Sequence, residues 1–245
     1  DRLPERLAIV GGGPIGLEFA TMFAGFGSRV TILDRHERAL GTFDDDVAAC
    51  AAEALGRRGV EFMLKSEPTS FADGDDSIVV RLAGGGDIEA DAVLVAAGRV
   101  PATADLNLEA AGIETTSRGA IKVDDRLRTS VPSVWAAGDV NGGPQFTYVS
   151  FDDHRIIMAD AWGAEGTPIR TTEGRIVPTT TFLEPPLSTV GMSEREATAQ
   201  GVHYETRKGM IADMAIVPRP KILGEPEGMA KFLIDPATDR ILGAT

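Results

Sequence analysis

Hydrophobic positions near the start of the chain change their period twice, and these changes predict a strand, a helix and a second strand. Residues 7–10 are continuously apolar, as in a buried strand. Apolar side chains then recur at helical spacing, at Ile15, Phe19, Met22, Phe23 and Phe26. A second, mostly apolar run, Val-Thr-Ile-Leu at residues 30–33, ends at Asp34. The order strand, glycine turn, helix, strand is typical of a βαβ unit.

The same alternation continues to about residue 96. Residues 44–55 have acidic residues followed by apolar positions at helical spacing, and residues 60–64 predict a third strand. Two short strands within residues 77–89 flank three glycines and predict a hairpin, and residues 92–96 predict a further buried strand. We therefore predict a parallel sheet with right-handed crossovers.

The pattern changes near Ala104. Loops and short strands lead to another apolar run, residues 134–137, which ends at Gly138 and Asp139. A turn and a helix are predicted over 145–162, with Val149, Ile156, Ile157 and Ala161 on the apolar side of the helix. Residues 163–175 predict a connector, and the pattern from residue 176 onward is α+β.

Composition and charge exclude several classes of function. The formal charge of −13 disfavours binding to nucleic acid, and no apolar run approaches the length of a membrane helix. Cys50 is the single cysteine, so we expect neither a disulfide framework nor a multi-cysteine metal site in this chain, and we expect Cys50 to be a small buried residue. We expect a soluble, cytoplasmic protein, and because the sequence opens on Asp1 we expect its beginning to be missing.

Gly11, Gly13 and Gly16 have the spacing of the dinucleotide-binding fingerprint. In that motif the first glycine allows a tight turn, the second lets a pyrophosphate approach the backbone, and the third lets helix and strand pack closely. Pro14 suits a first helical turn, whose free N–H groups and dipole favour phosphates. Asp34, 18 positions after Gly16, is placed to accept hydrogen bonds from an adenosine ribose. The alternative is a structural turn without a ligand.

Four motifs together resemble the family of pyridine nucleotide-disulfide oxidoreductases, which includes glutathione reductase, dihydrolipoamide dehydrogenase and mercuric reductase. They are Val-Gly-Gly-Gly-Pro-Ile-Gly-Leu-Glu at 10–18, Ala-Gly-Arg-Val-Pro-Ala-Thr at 97–103, Thr-Ser-Val-Pro-Ser-Val-Trp-Ala-Ala-Gly-Asp at 129–139, and Pro-Pro-Leu-Ser-Thr-Val-Gly at 185–191. Their number and order make the resemblance far more specific than any one motif, and it covers essentially the whole chain.

The resemblance implies an α/β fold with three parts. Residues 1–104 would form a Rossmann-like NAD(P)-binding domain, residues 105–165 the C-terminal portion of a second, FAD-binding Rossmann-like domain, and residues 166–245 part of an α+β dimerisation domain. In the family, the redox cysteine pair lies upstream and the catalytic histidine downstream of these residues. We therefore expect a fragment that holds no catalytic residue and is inactive and poor in flavin by itself.

The resemblance also implies the residues that bind cofactors. Asp139, a carboxylate at the end of a predicted strand, would accept hydrogen bonds from the ribityl chain of the flavin. The alternative is that Asp139 belongs to an ordinary Gly-Asp turn. Glu18 would lie near the nicotinamide, or else be a surface glutamate near a helix N-terminus. Arg99 either belongs to the ligand-binding edge of the sheet or is a structural ion-pairing residue. The predicted cofactor-binding residues are Gly11, Gly13, Pro14, Ile15, Gly16, Glu18, Asp34, Arg35, Gly98, Asp139, Gln145, Phe146 and Thr147.

The preferred nucleotide depends on the residues after the second strand. The carboxylate of Asp34 would repel the 2′-phosphate of NADPH, whereas Arg35 and Arg38 follow closely, and arginines there accommodate that phosphate in some relatives. We favour NADH over NADPH on the like-charge argument.

Three histidines and one group of acidic residues are predicted to have no catalytic role. His36, His154 and His203 do not match the catalytic position and are predicted at the surface. Asp152, Asp153 and His154 have helix-start spacing, which favours a solvated first turn over a catalytic cluster.

The resemblance implies a flavoprotein that takes hydride from NAD(P)H onto FAD and passes electrons to a disulfide, a metal ion or another oxidant. The residues at 145–155 and 218–220 favour the mercuric-reductase-like and reactive-chlorine-resistance branches. A homodimer is implied for the full-length protein, with a small-molecule or metal-ion oxidant and neither a nucleic acid nor a membrane as partner. The alternatives are an NAD(H)-binding sensing module without dithiol turnover, and a flavin-only NADH oxidase or ferredoxin-type reductase.

Overall fold

A computed structural model describes residues 2–224 and 226–245 of the chain. These residues belong to two compact units, the first made of Asp1–Gly98 with Pro178–Thr245 and the second of Arg99–Val177. The predicted boundaries at residues 104 and 165 separate domains by the cofactor that each binds, whereas these units are separated by their internal contacts. That division stays a prediction.

The strands and helices follow the predicted order closely. The strands are β1 (Arg6–Val10), β2 (Arg29–Asp34), β3 (Val60–Leu64), β4 (Pro68–Asp73), β5 (Ile78–Leu82), β6 (Asp87–Ala90), β7 (Ala92–Val95), β8 (Thr179–Thr181), β9 (Leu187–Gly191), β10 (Glu205–Met210), β11 (Met229–Ile234) and β12 (Ile241–Ala244). The helices are α1 (Pro14–Gly25), α2 (Asp45–Arg57), α3 (Thr147–Trp162), α4 (Glu194–Ala199) and α5 (Pro218–Leu223). Within the two described ranges, no helix combines the length and the apolar character that crossing a bilayer requires.

The predicted parallel sheet is confirmed. Its order is β3-β2-β1-β7, and Leu7 lies opposite Val30 on one side and Ala92 on the other. Because side chains alternate along a strand, β1 serves two cores. Leu7 and Ile9 pack in one cluster with residues of α1 and α2, whereas Ala8 packs in a second cluster with β5 and β6. The sheet therefore has helices on one face and the small antiparallel sheet β4-β5-β6 on the other.

Two local predictions were wrong, and one strand was not predicted. The predicted buried strand is β7, whose side chains are half-buried or exposed, with Val95 66% exposed, because β7 is an edge strand. Strand β4 was not predicted, since its mostly exposed residues form no apolar run and it opens on a proline. Cys50 is half-buried rather than buried, and this partial burial raises the pKa of its thiol.

The predicted α+β pattern after residue 176 is confirmed. Five antiparallel strands pair in the order β10-β11-β12-β9-β8. Helix α4 begins with a capping box, in which the Ser193 hydroxyl accepts from the Glu196 backbone and the Glu196 carboxylate accepts from the Ser193 backbone. Leu183 from this segment is buried in the same cluster as Leu7 and Ile9, so the two parts of the first unit share a core.

Lys231 in β11 joins the C-terminal segment to the N-terminal part of the first unit, which contains the parallel sheet. Only 1% of it is exposed, and its ammonium lies 2.9 Å from Asp44 Oδ2, 2.8 Å from Asp46 Oδ1 and 3.1 Å from Glu194 Oε2. Burial alone would lower the pKa of Lys231, but hydrogen bonds to the three carboxylates raise it above the usual value. The buried ammonium is therefore charged and paired.

The carboxylates around Lys231 also make contacts of their own. Asp44, which precedes α2, accepts hydrogen bonds from the backbone N–H groups of Glu194 at 3.1 Å and Arg195 at 3.3 Å. Burial opposes ionisation of Asp46, but hydrogen bonds from Lys208 and Lys231 lower its pKa to about 2. The first turns of α2 and α4 are thus held together by charge-assisted contacts.

The apolar run 134–137 does not form a strand. Its single bridge joins Trp135 to Arg128, and the run leads into a 3-10 turn, Gly138–Asn141. Two backbone hydrogen bonds flank this bridge, from Thr129 N–H to the Val134 carbonyl at 2.9 Å and from Ala136 N–H to the Leu127 carbonyl at 3.1 Å, and so short a ladder is a bridge rather than a strand.

The ion pairs of Asp46 predict an acid-sensitive contribution to stability. The Asp46→Asn variant should lose up to about 2 kcal/mol of unfolding free energy at neutral pH, measured by urea unfolding. Because the folded pKa of Asp46 is depressed from 3.8 to about 2, this contribution is complete above the unfolded pKa and disappears as the pH falls through the folded pKa. The difference between wild type and variant should shrink to about half by pH 3.

Glu53→Gln is the matched control on the same helix, since the ion pair that Glu53 makes among the described residues is with Arg57, one turn away at the surface. Its effect should stay below about 0.5 kcal/mol. An Asp46→Asn variant as stable as wild type at neutral pH would contradict this account of the cluster.

Candidate cofactor-binding site

The glycine turn between β1 and α1 is a close crossing of backbone segments. Gly11 has φ +113°, and a Cβ placed on it would lie 2.4 Å from the carbonyl oxygen of Ala96. A Cβ on Gly16 would lie 1.9 Å from the carbonyl oxygen of Gly11. Both positions therefore require glycine, for the turn and for the packing of helix on strand.

Gly13 differs from both, because no described atom beyond its two neighbours in the chain lies within 4 Å of a Cβ placed on it. Pro14 is the first residue of α1 and has no N–H to lose. The first hydrogen bond of the helix runs from Leu17 N to Gly13 O at 3.1 Å, so the N–H groups of Ile15 and Gly16 come before it. Gly13 thus combines free space with the donors and the positive end of a helix.

Asp34 at the end of β2 is tied to the glycine turn. Its Oδ2 accepts from the backbone N–H of Gly12 at 2.7 Å, and its Oδ1 lies 2.8 Å from the backbone nitrogen and 2.7 Å from Nδ1 of His36. Burial opposes ionisation of Asp34, but the hydrogen bonds from His36 and Gly12 lower its pKa. The predicted ribose acceptor is therefore ionised and also braces the turn. His36 is exposed as predicted, but its contact with Asp34 was not predicted.

The two arginines after Asp34 differ in their contacts. Arg35 is exposed, and among the described residues it makes no ion pair with an acidic side chain. Arg38 donates to the carbonyl oxygens of Gly41 at 3.4 Å and Phe43 at 3.3 Å and pairs with Asp45. The guanidinium of Arg38 is thus engaged within its own loop.

Glu18 on α1 contacts the C-terminal segment. Its Oε1 accepts a hydrogen bond from the backbone N–H of Phe182 at 2.8 Å, just after β8. Glu18 is half-buried, so it is not a freely solvated surface glutamate. Its proximity to a nicotinamide stays a prediction.

Asp139 lies in the 3-10 turn Gly138–Asn141, not at a strand end as predicted. Its side chain is 51% exposed, and Oδ2 lies 3.2 Å from Nη1 of Arg99. Arg99 is therefore an ion-pairing residue here, in an exposed pair of the kind that contributes at most about 1 kcal/mol. The carboxylate of Asp139 remains accessible as a hydrogen-bond acceptor.

The start of α3 presents backbone rather than side-chain groups. Thr147 is its first residue, and the Phe146 carbonyl accepts from the N–H groups of Val149 and Ser150, each at 3.1 Å. Phe146 caps the helix without a polar side chain, and Gln145 before it is half-buried. That these residues act through the amides of the helix, rather than through their side chains, stays a prediction.

The prediction of a solvated first turn at residues 152–154 was wrong for Asp153. Helix α3 begins at Thr147, so Asp153 lies in its second turn, and its side chain is only 2% exposed. It contacts Gly138, Asn141 and Arg175. His154 is exposed as predicted. Arg175, in the predicted connector, is the partner that the local pattern did not indicate.

The predicted residues are distributed over both units. The first unit holds Gly11, Gly13, Pro14, Ile15, Gly16, Glu18, Asp34, Arg35 and Gly98, and the second holds Asp139, Gln145, Phe146 and Thr147. Gly98 has φ +130°, and no described atom lies within 4 Å of a Cβ placed on it. In the first group, the residues from Gly11 to Gly16 form the glycine turn and the start of α1, and Asp34 contacts that turn. The second group lies at the start of α3 and in the turn that packs on that helix. Their binding roles stay predictions.

Family comparison agrees with the motifs. The model of the pyridine nucleotide-disulphide oxidoreductases matches residues 1–153, and the model of the dimerisation domain of the same family matches residues 177–245. The chain belongs to this family. The resemblance inferred from the four motifs and the predicted fold class are thereby confirmed.

Individual members of the pyridine nucleotide-disulphide oxidoreductase family match nearly the whole chain. The probable pyridine nucleotide-disulfide oxidoreductase RclA of Escherichia coli K12 is 42% identical over 99% of this chain and 54% of its own length. The mercuric reductase of Bacillus cereus is 34% identical over 99% of this chain and 38% of its own length. The chain thus spans about half the length, or less, of these relatives.

A solved structure has the same fold. The Cu(II) complex of the HOCl-induced flavoprotein disulfide reductase RclA from Escherichia coli matches with a TM-score of 0.91 and 41% identity, over 100% of this chain and 55% of that chain.

Substitutions at Gly16 and Gly13 should have separable effects. Gly16→Ala should destabilise the fold by about 3 kcal/mol, because the new methyl group would collide with the Gly11 carbonyl. Gly13→Ala should change the unfolding free energy by less than about 0.5 kcal/mol. Its affinity for NADH should nevertheless fall roughly tenfold or more, because the methyl group would occupy the space of the pyrophosphate.

Urea unfolding and calorimetric titration with NADH measure the two effects on the same preparations. Gly13→Ala binding NADH as tightly as wild type would show that the open space at Gly13 is not the pyrophosphate site.

Proposed function

We propose that this chain is the nucleotide-binding part and a portion of the flavin-binding part of an oxidoreductase that transfers hydride from NADH to FAD. The observation that carries the proposal is the contrast among the glycines. Gly11 and Gly16 are required by backbone packing, whereas the space at Gly13 is open and lies beside the amides that begin α1. Such a cradle fits a pyrophosphate.

NADH rather than NADPH is favoured by the charges around Asp34. The carboxylate is held ionised by Gly12 and His36, so a 2′-phosphate beside it would meet a negative charge. Arg38 is engaged by carbonyl oxygens and Asp45, which leaves Arg35 as the arginine that a phosphate would have to recruit.

Flavin binding is supported by the second unit. The accessible carboxylate of Asp139 can accept hydrogen bonds from the ribityl hydroxyl groups, and the N-terminal amides of α3 can stabilise negative charge on the ring. FAD, when bound, supplies a hydride acceptor that can pass electrons onward, and the residues of this chain bind and orient it. We retain residues 1–104, 105–165 and 166–245 as the nucleotide, flavin and dimerisation parts.

The terminal oxidant that we propose is a disulfide or a soft metal ion, and the names of the relatives support this class. Mercuric reductases act on a metal ion, and the Escherichia coli structure is a disulfide reductase in complex with Cu(II). A homodimer is supported by the dimerisation-domain match and by the exposed apolar side chains of Ile216, Ile222 and Leu223 in and beside α5.

Flavin reduction by the two nucleotides tests the proposal. The full gene product that contains residues 1–245 should purify with FAD, and NADH should bleach its visible absorbance in stopped-flow measurements. The kcat/KM for NADH should exceed that for NADPH by roughly tenfold, which corresponds to about 1.4 kcal/mol of like-charge repulsion.

Asp34→Ser should narrow that ratio by removing the repulsion, whereas Arg35→Ala should widen it by removing the arginine that a 2′-phosphate would have to recruit. A protein that binds NADH but no flavin would be a sensing module and would contradict the proposal. Flavin reduction without any dithiol or metal turnover would favour an NADH oxidase, and a preference for NADPH would contradict the choice of nucleotide.

A further inference from the structure

Asp153 is a buried carboxylate in the middle of α3 with three partners. Its Oδ2 accepts from the Gly138 N–H at 2.8 Å and from Asn141 Nδ2 at 3.2 Å, and its Oδ1 accepts from Arg175 Nη2 at 2.7 Å. The side chains of Asp153 and Arg175 are 2% and 13% exposed. A buried charge is retained only when it is paired and hydrogen-bonded, and Asp153 meets both conditions.

Two of these contacts fall at the two ends of the turn that carries Asp139. Gly138 begins the 3-10 turn and Asn141 ends it. Gly138 has φ +72°, and a Cβ on it would lie 2.8 Å from the hydroxyl of Ser150, one helical turn before Asp153. The turn therefore lies directly against the face of α3 that carries Ser150 and Asp153.

The third contact ties this face of α3 to the segment that follows the helix. Arg175 Nε lies 3.1 Å from Asp152 Oδ2, so the guanidinium contacts two successive carboxylates of α3. A single buried group thus joins the turn before α3, the helix itself and the segment after it.

We propose that Asp153, with Asn141 and Arg175, is a positioning residue for flavin binding. It holds the Gly138–Asn141 turn on α3, so that the distance and orientation between the carboxylate of Asp139 and the first amides of α3 stay fixed. Two groups that bind the same ligand are effective only when their separation is held within a fraction of an ångström. This inference rests on the proposed function, in which Asp139 and α3 contact the flavin.

Asp160 on the same helix provides a matched control for a purely structural role. It is also buried and charge-paired, with Arg126 at 3.5 Å and Arg128, and it accepts from Trp135 Nε1 at 3.0 Å. None of these three partners belongs to the turn that carries Asp139. Loss of the Asp160 charge should therefore weaken the fold without moving that turn.

The test compares Asp153→Asn, Asn141→Ala and Asp160→Asn in the FAD-containing protein made from the full gene. We expect Asp153→Asn and Asn141→Ala to bind FAD roughly ten- to hundredfold more weakly, the range for losing a hydrogen bond to a charged group. We also expect both to shift the visible spectrum and the midpoint potential of the bound flavin. Asp160→Asn should lower the melting temperature but leave the FAD affinity and potential as in wild type.

Asn141→Ala carries the test if Asp153→Asn does not fold, because it leaves the Asp153–Arg175 pair in place. If Asp153→Asn and Asn141→Ala both retain the FAD affinity and midpoint potential of wild type and lose only thermal stability, as is expected of Asp160→Asn, the positioning role is wrong. If wild type itself binds no FAD, the proposed function fails together with this inference, and that result is distinct from the first.

Discussion

The close approach of three backbone segments at the first glycine turn is the constraint on which the nucleotide half of the structure depends. The carbonyl oxygens of Ala96 and Gly11 occupy the positions that side chains at Gly11 and Gly16 would need. With α1 so close to β1, the helix begins at the carboxyl edge of the sheet, where its first amides and its dipole meet open space at Gly13. The absence of side chains at Gly11 and Gly16 therefore accounts both for the close packing of α1 on β1 and for the position of the amides that can bind a phosphate.

A second constraint joins the ends of the first unit. The loop after Asp34 begins with the predicted nucleotide-selecting residues and ends at Asp44, whose carboxylate contacts Lys231 and the first amides of α4. Arg195 donates to the carbonyl of Phe43 in the same loop at 3.4 Å. The loop is therefore braced by residues at least 150 positions later in the sequence, and its conformation depends on the docking of the C-terminal segment.

Local features were predictable and long-range features were not. The glycine spacing, the helix that starts at Pro14 and the hairpin of β5 and β6 follow from adjacent residues, and the structure contains them. Asp153 was misjudged because its burial depends on Arg175, 22 positions away. Lys231 was not singled out, because a lysine within a strand resembles any solvated position until its three carboxylates from distant segments are known. Patterns along a chain report periodicity, whereas paired buried charges depend on tertiary contacts.

A crystal structure of the protein with NADH would show whether the open space at Gly13 holds the pyrophosphate. We expect the pyrophosphate there, accepting hydrogen bonds from the backbone N–H groups of Ile15 and Gly16, with the adenosine ribose beside Asp34. A pyrophosphate bound elsewhere, with the space at Gly13 left to solvent, would show that this turn is not the nucleotide site.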